Sequence, residues 1–147
     1  MIKTDNLETT TDELTEKIIG AAFQVSNQLG CGFLEKVYEN ALAIELKKQN
    51  FNICQQHAIA VFYDNTNVGD FYADIVVNQH IILELKSVKQ ITDAHRAQCL
   101  NYLKASQFKI CLLINFGNPK IEIKRIVNQL WNICFLSVIL SAFIGGK

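Results

Sequence analysis

Asp74, Glu84 and Lys86 are the residues of this sequence best placed to do chemistry. The stretch Ile81-Ile82-Leu83-Glu84-Leu85-Lys86 reads as a β-strand. Alternate residues of a strand share a face, so Glu84 and Lys86 point together while Leu83 and Leu85 point the other way. Asp74 stands on the preceding strand across a tight turn, and a hairpin brings it beside Glu84. Two adjacent carboxylates repel, and a hard divalent cation such as Mg²⁺ neutralises them while keeping several of its waters. A lysine on the same face can orient or deprotonate a water on that cation, or stabilise charge on a phosphate. Metal-assisted phosphodiester hydrolysis requires this combination. On its own the string is a weak signal, because a surface Glu–Lys pair near a hairpin aspartate spells the same letters.

Two further features strengthen it. On the helix expected after that strand, Gln98 and Tyr102 are four apart and therefore stacked on one face, with His95 a turn earlier. An amide and a phenol beside a carboxylate–lysine site can position a water or contact a phosphate. Glu35 sits on an early helical stripe with Tyr38, Glu39, Leu42 and Leu46. A carboxylate among core leucines is costly unless paired or metal-bound, so an inward Glu35 could supply another metal ligand, whereas a stripe at the helix's wet edge would leave it an ordinary surface residue.

The elements that must position these groups follow from periodicity. Thr10-x-x-Glu13 reads as a capping-box start, followed by Leu14, Ile18, Ala21, Val25 and Leu29 at helical spacing up to Gly30-Cys31-Gly32. A second helix is expected from Phe33 to Lys48. Strands are expected over Ile53–Tyr63, Val68–Val77 and Ile81–Ser87, separated by Asp64-Asn65-Thr66-Asn67 and Asn78-Gln79 turns. A helix capped by Thr92 or Asp93 runs to Ala105. The apolar strand Lys109–Phe116 reads as central, and a short strand Ile121–Arg125 follows Asn118-Pro119. The order α-α-β-β-β-α-β-β implies an α/β (α+β) fold, a mixed sheet with helices packed against it.

Composition narrows the class. The chain has 147 residues, half of them apolar, with one Pro and seven Gly. That excludes disordered, collagen-like and low-complexity chains and fits one domain, expected over residues 1–127. Formal charge is zero, but residues 1–85 carry 5 basic and 12 acidic side chains and residues 86–125 carry 8 and 2. An acidic half can bind a cation while a basic half meets a polyanion, although mixed solvated surfaces also look like this. Cys31, Cys54, Cys99, Cys111 and Cys134 form no C-x-x-C pair, so each is expected as a small buried hydrophobe in a reducing compartment, which points to the cytoplasm. His57 and His80 lack ligand-spaced partners. Residues 127–146 are uncharged and densely apolar, dilute for a membrane span but long enough for one. This segment is expected to be a helix that packs on the core or is covered by a partner, with membrane association the lesser reading.

Gly32-Phe33-Leu34-Glu35-Lys36-Val37-Tyr38 matches Gly-x-x-Glu-x-x-Tyr, and from there the chain resembles the GxxExxY protein family. Asp74, Glu84-Leu85-Lys86, Ala97-Gln98-x-x-Asn101-Tyr102-Leu103 and Leu112-Leu113-Ile114-Asn115-Phe116-Gly117 follow in the family's order, over roughly Leu14 to Val127. That family is placed in the PD-(D/E)XK nuclease superfamily, so the resemblance implies a restriction-endonuclease-like α-β-β-β-α-β core. It implies Asp74, Glu84 and Glu35 as ligands of Mg²⁺ or Mn²⁺, Lys86 as the catalytic lysine, and Gln98 with Tyr102 as a Gln-x-x-x-Tyr element contacting nucleic acid. Ala73 stands where the motif's proline would be. The expected activity is divalent-metal-dependent hydrolysis of nucleic acid, DNA first, with a homo-oligomer left open. The alternative is an inactive nuclease-like domain that binds nucleic acid or a protein partner.

Overall fold

The computed structural model describes residues 3–128, with side chains from residue 11 onward. The element order is α1 (Lys3–Leu29), α2 (Glu35–Lys48), β1 (Ile53–Tyr63), β2 (Thr66–Val77), β3 (Ile81–Lys86), α3 (Asp93–Ala105), β4 (Ile110–Asn115) and β5 (Glu122–Val127). The five strands form one sheet in the order β1-β2-β3-β4-β5. Among the described strands β3 and β4 pair in parallel, and the other neighbours are antiparallel. The expected mixed sheet with flanking helices is therefore what forms, and α3 is the crossover that a parallel β3–β4 pair needs.

The sheet separates two cores. On one face, Leu14, Ile18, Ala22, Val25, Leu42 and Leu46 of α1 and α2 pack on Ile75, Leu83, Leu85, Leu112 and Ile114. On the other, Cys99, Tyr102 and Leu103 of α3 pack on Ile59, Ala73, Ile82, Cys111 and Leu113. β3 and β4 are covered on both faces, which explains their near-continuous apolar sequences. The hairpin β1–β2 turns at Asp64-Asn65, both with positive φ (48° and 58°), as a two-residue connection of primed type demands.

Three local expectations are corrected. Helix α1 begins at Lys3, so Thr10 lies within it rather than at its start. Glu35 is exposed on the first turn of α2, where its charge suits the positive end of the helix dipole; the buried glutamate of that helix is Glu39. Cys31 and Cys54 are exposed, and among the described residues Cys99 and Cys111 are the buried thiols expected. Among the described residues no helix is long and apolar enough to cross a membrane. The expectations for Cys134 and the apolar segment after Asn128 lie outside the described residues.

Candidate active site

The site is built where two strand alternations fail together. On β1, Ile53 packs against the α1/α2 core and Ile59 belongs to the α3 core, although both are odd-numbered residues of one strand. Such a switch needs a break in the pleat, and Gln56 supplies it with φ of 53°. On β2, Ala73 faces the α3 core and Ile75 the α1/α2 core, which puts the break at Asp74; Asp74 and Gln56 both fall between the Gln55–Ile75 and His57–Ala73 pairs. The β2–β3 ladder pairs Ile75 with Leu83 and goes no further. Beyond it the carboxylate does a carbonyl's work, with Leu85 N–H donating to Asp74 Oδ2 at 2.8 Å. Asp74 is thus held at the fork between two diverging strands.

Glu84 continues β3 on the α3 side, 5% exposed. Lys86 Nζ lies 3.4 Å from its Oε1. The same Nζ donates to Gln98 Oε1 at 2.9 Å, and Gln98 Nε2 donates to Tyr102 Oη at 2.6 Å. A continuous polar chain therefore runs Glu84–Lys86–Gln98–Tyr102 from strand to helix. Tyr102 is held in turn by Phe71, whose ring stacks on it at 4.2 Å. Glu84 Oε2, fully buried, has no hydrogen-bond partner among the described residues. Burial pushes the Glu84 carboxyl up to about 8, with the nearby Asp74 adding to the rise and Lys86 opposing it. Burial also raises Asp74, against the Leu85 N–H that lowers it. Tyr102 is raised, first by burial and then by the charges of Glu84 and Asp74, so it keeps its proton.

These groups fit a divalent cation. A buried, unpartnered carboxylate oxygen beside a second carboxylate is a poor arrangement for a protein alone and a good one around a cation. Among the described residues no group of three or more His, Cys, Asp or Glu is arranged to hold a metal, and the carboxylates that lie together here are Asp74 and Glu84. Mg²⁺ is commonly held by one or two carboxylates, with waters and substrate phosphate completing the shell. Glu35 lines a cleft of about 670 Å³ together with Asp74, Gln56, Ser87 and Lys89, and its charge adds to the rise of Asp74 and Glu84.

A family model for the PD-(D/E)XK nuclease superfamily matches residues 12–126. The chain belongs to that superfamily. Among solved structures, the alkaline exonuclease LHK-Exo from Laribacter hongkongensis is similar, at a TM-score of 0.50 and 12% sequence identity. The match covers 75% of this chain and 64% of the exonuclease. At that identity the likeness speaks for the fold, which is restriction-endonuclease-like. None of the curated proteins matches the chain.

In this PD-(D/E)XK chain the frame around the site includes Gln56, which the sequence does not mark, and Asn115 and Gly117, which it marks only as part of a motif. Gln56 Nε2 donates to Glu39 Oε1 at 2.6 Å and sits 3.4 Å from Asp74 Oδ1, bridging helix α2 to the fork. No sequence signal marks it, because a glutamine inside an alternating strand does not announce a left-handed backbone. Asn115, fully buried at the end of β4, accepts from the N–H of Val88 and of Gly117 and donates to Val88 O. This clamps the loop after Lys86. A Cβ at Gly117 would stand 2.0 Å from Val88 O, so only glycine permits that approach.

The Gly-x-x-Glu-x-x-Tyr segment divides its labour. Tyr38 is wholly buried, stacks on Phe116 at 4.6 Å, and donates to Gly30 O at 2.7 Å. It fixes the glycine loop, where Gly30 and Gly32 take φ of 69° and 112°. Ser87 Oγ donates to Phe33 O at 2.8 Å, tying that loop to the end of β3. His95 completes a capping box with Thr92 and has a structural place at the start of α3.

Proposed function

We propose that the protein is a divalent-metal-dependent nuclease of the GxxExxY type that hydrolyses phosphodiester bonds in DNA, with Mg²⁺ or Mn²⁺ as the cation and residues 1–127 as the nuclease domain. The observation that carries this reading is Glu84 Oε2, a buried carboxylate oxygen without a partner among the described residues, set beside Asp74 and Lys86 in a chain of the PD-(D/E)XK superfamily. Asp74 and Glu84 hold the cation. When bound, it supplies charge neutralisation and Lewis acidity toward water and phosphate. Glu35 lines the same cleft as Asp74 and would be a further acid toward the cation. Lys86, anchored by Glu84 on one side and Gln98 on the other, orients the attacking water and meets the charge that develops on the phosphate. Gln98 fixes the lysine's direction, and Tyr102, still protonated, offers a hydrogen bond to a phosphate oxygen.

The test is hydrolysis of single- and double-stranded DNA and RNA by the full chain with Mg²⁺, Mn²⁺ or Ca²⁺. Turnover of DNA is expected with the first two. Ca²⁺, larger and more flexibly coordinated, is expected to support binding without turnover. Lys86→Ala should lose about 10²–10⁴-fold in rate while still binding Mn²⁺. Activity undiminished in both Lys86→Ala and Glu84→Gln would come from another site. Nucleic-acid binding without hydrolysis under any cation would make the chain a non-catalytic binder.

A further inference from the structure

We infer that the groove between α3 and the β1–β2 hairpin seats unpaired bases of a single nucleic-acid strand leading into the active site. This rests on the nuclease reading and adds the form of the substrate. The groove encloses about 970 Å³ and begins at the site itself, because Gln98 and Tyr102 both line it and Gln98 is bonded to Lys86. Its helical wall is Ala94, Ala97, Asn101 and Ala105, three alanines and one amide along one face of α3. From Ala94 to Ala105 that face extends roughly 16 Å. Its far wall carries Phe62, a phenylalanine left 65% exposed, and Phe71, already stacked on Tyr102.

Three properties choose the occupant. An exposed aromatic ring offers stacking to a planar base, and this is tolerant of sequence because every base has such a face. The bases of a duplex already stack on their neighbours, so the ring gains purchase only on unpaired ones. Among the described residues that line the groove, Lys104 is the one charged side chain and there is no carboxylate, so its charge suits a phosphate backbone. Gln98 and Asn101 can meet base edges through hydrogen bonds. A groove for an amphipathic helix is lined instead by continuous aliphatic and Met side chains. Here the aliphatic lining is three alanines and Val61, set among rings, amides and one cation and contiguous with a carboxylate–lysine site, which describes a strand path.

Fluorescence anisotropy of labelled oligo-dT and of the corresponding dT·dA duplex, titrated with the full chain in Ca²⁺, tests this. The single strand should bind more tightly than the duplex. Phe62→Ala should weaken single-strand binding about fivefold or more, a stacking loss of about 1–3 kcal/mol. Phe62→Trp should bind like the parent, whereas Phe62→Leu, which keeps apolar bulk but no ring, should not. Lys104→Ala should flatten the salt dependence by about 0.7 in log–log slope. Circular dichroism melts confirm that these surface variants remain folded. Duplex binding equal to single-strand binding, oligo-dT affinity unchanged in Phe62→Ala, or full binding by Phe62→Leu would overturn the inference. So would self-association lost in Phe62→Ala, which would make a second copy the occupant. The two readings separate cleanly. Hydrolysis that needs Glu84 and Lys86 but ignores Phe62 defeats the groove alone, and Phe62-dependent binding without hydrolysis defeats the nuclease alone.

Discussion

Two buried glutamates in this molecule are treated in opposite ways. Glu39 of α2 is 3% exposed, and its oxygens accept from Gln56 at 2.6 Å and from Lys36 and Gln55 at 2.7 Å each. Glu84 of β3 is 5% exposed, shares one lysine at 3.4 Å, and leaves Oε2 without a partner among the described residues. Burial is nearly equal; satisfaction is not. The surroundings of Glu39 are complete, so its place is to hold β1 and the fork at Asp74 against α2. The surroundings of Glu84 are incomplete in the way a cation site requires, and its carboxyl is pushed up accordingly.

That contrast can be broken by thermal denaturation. Glu39→Ala removes three accepted hydrogen bonds whose donors keep other partners or reach water, and should destabilise the protein by about 1–2 kcal/mol. Glu84→Gln should do the reverse in metal-free buffer near neutral pH, raising Tm, because the amide keeps the shape without the cost of protonating a buried carboxyl on folding. Equal destabilisation by both would show that Glu84 is as much a scaffold residue as Glu39.

Metal-free stability should also depend on pH through Glu84. Its folded carboxyl titrates at about 8 against an ordinary 4.5, so between those values the folded state binds more protons than the unfolded one. Stability is then full below the ordinary value and is lost as pH rises through about 8, with raised Asp74 acting in the same direction. Melts of the metal-free protein across that window should show Tm falling, and the fall should be shallower in Glu84→Gln. A rise in Tm over the same window would contradict the environment described for Glu84. The smallest effect sharpens the comparison from the side of Glu39. Gln56→Ala removes the bridge to Asp74, and Mn²⁺ affinity measured by calorimetry should fall about tenfold, as for other residues that orient metal ligands. Unchanged affinity would confine Gln56 to the scaffold.

Much of this site is legible in the amino-acid sequence. The alternation of Leu83-Glu84-Leu85-Lys86 and the turn at Asn78-Gln79 place Asp74, Glu84 and Lys86 near one another, and the i, i+4 spacing stacks Gln98 on Tyr102. These are local rules, and the local geometry obeys them. The mixed sheet is legible for the same reason. The choice between Glu35 and Glu39 is not, because both fall on one helical stripe and only the seating of α2 on the sheet decides which is buried. Gln56 is hidden because its left-handed backbone arises from the joint bend of two strands, a tertiary constraint with no glycine to mark it. Asn115 and Gly117 sit at the end of an apolar strand, and their purpose is visible only once the loop after Lys86 is pressed against them.

The most direct measurement of the central claim is calorimetric titration of Mn²⁺ into the full chain and into Glu84→Gln and Glu39→Gln. If Asp74 and Glu84 are the cation's protein ligands, the parent and Glu39→Gln bind the metal with similar stoichiometry, and Glu84→Gln loses binding. Retained binding in Glu84→Gln, or loss of binding in Glu39→Gln alone, would contradict the account.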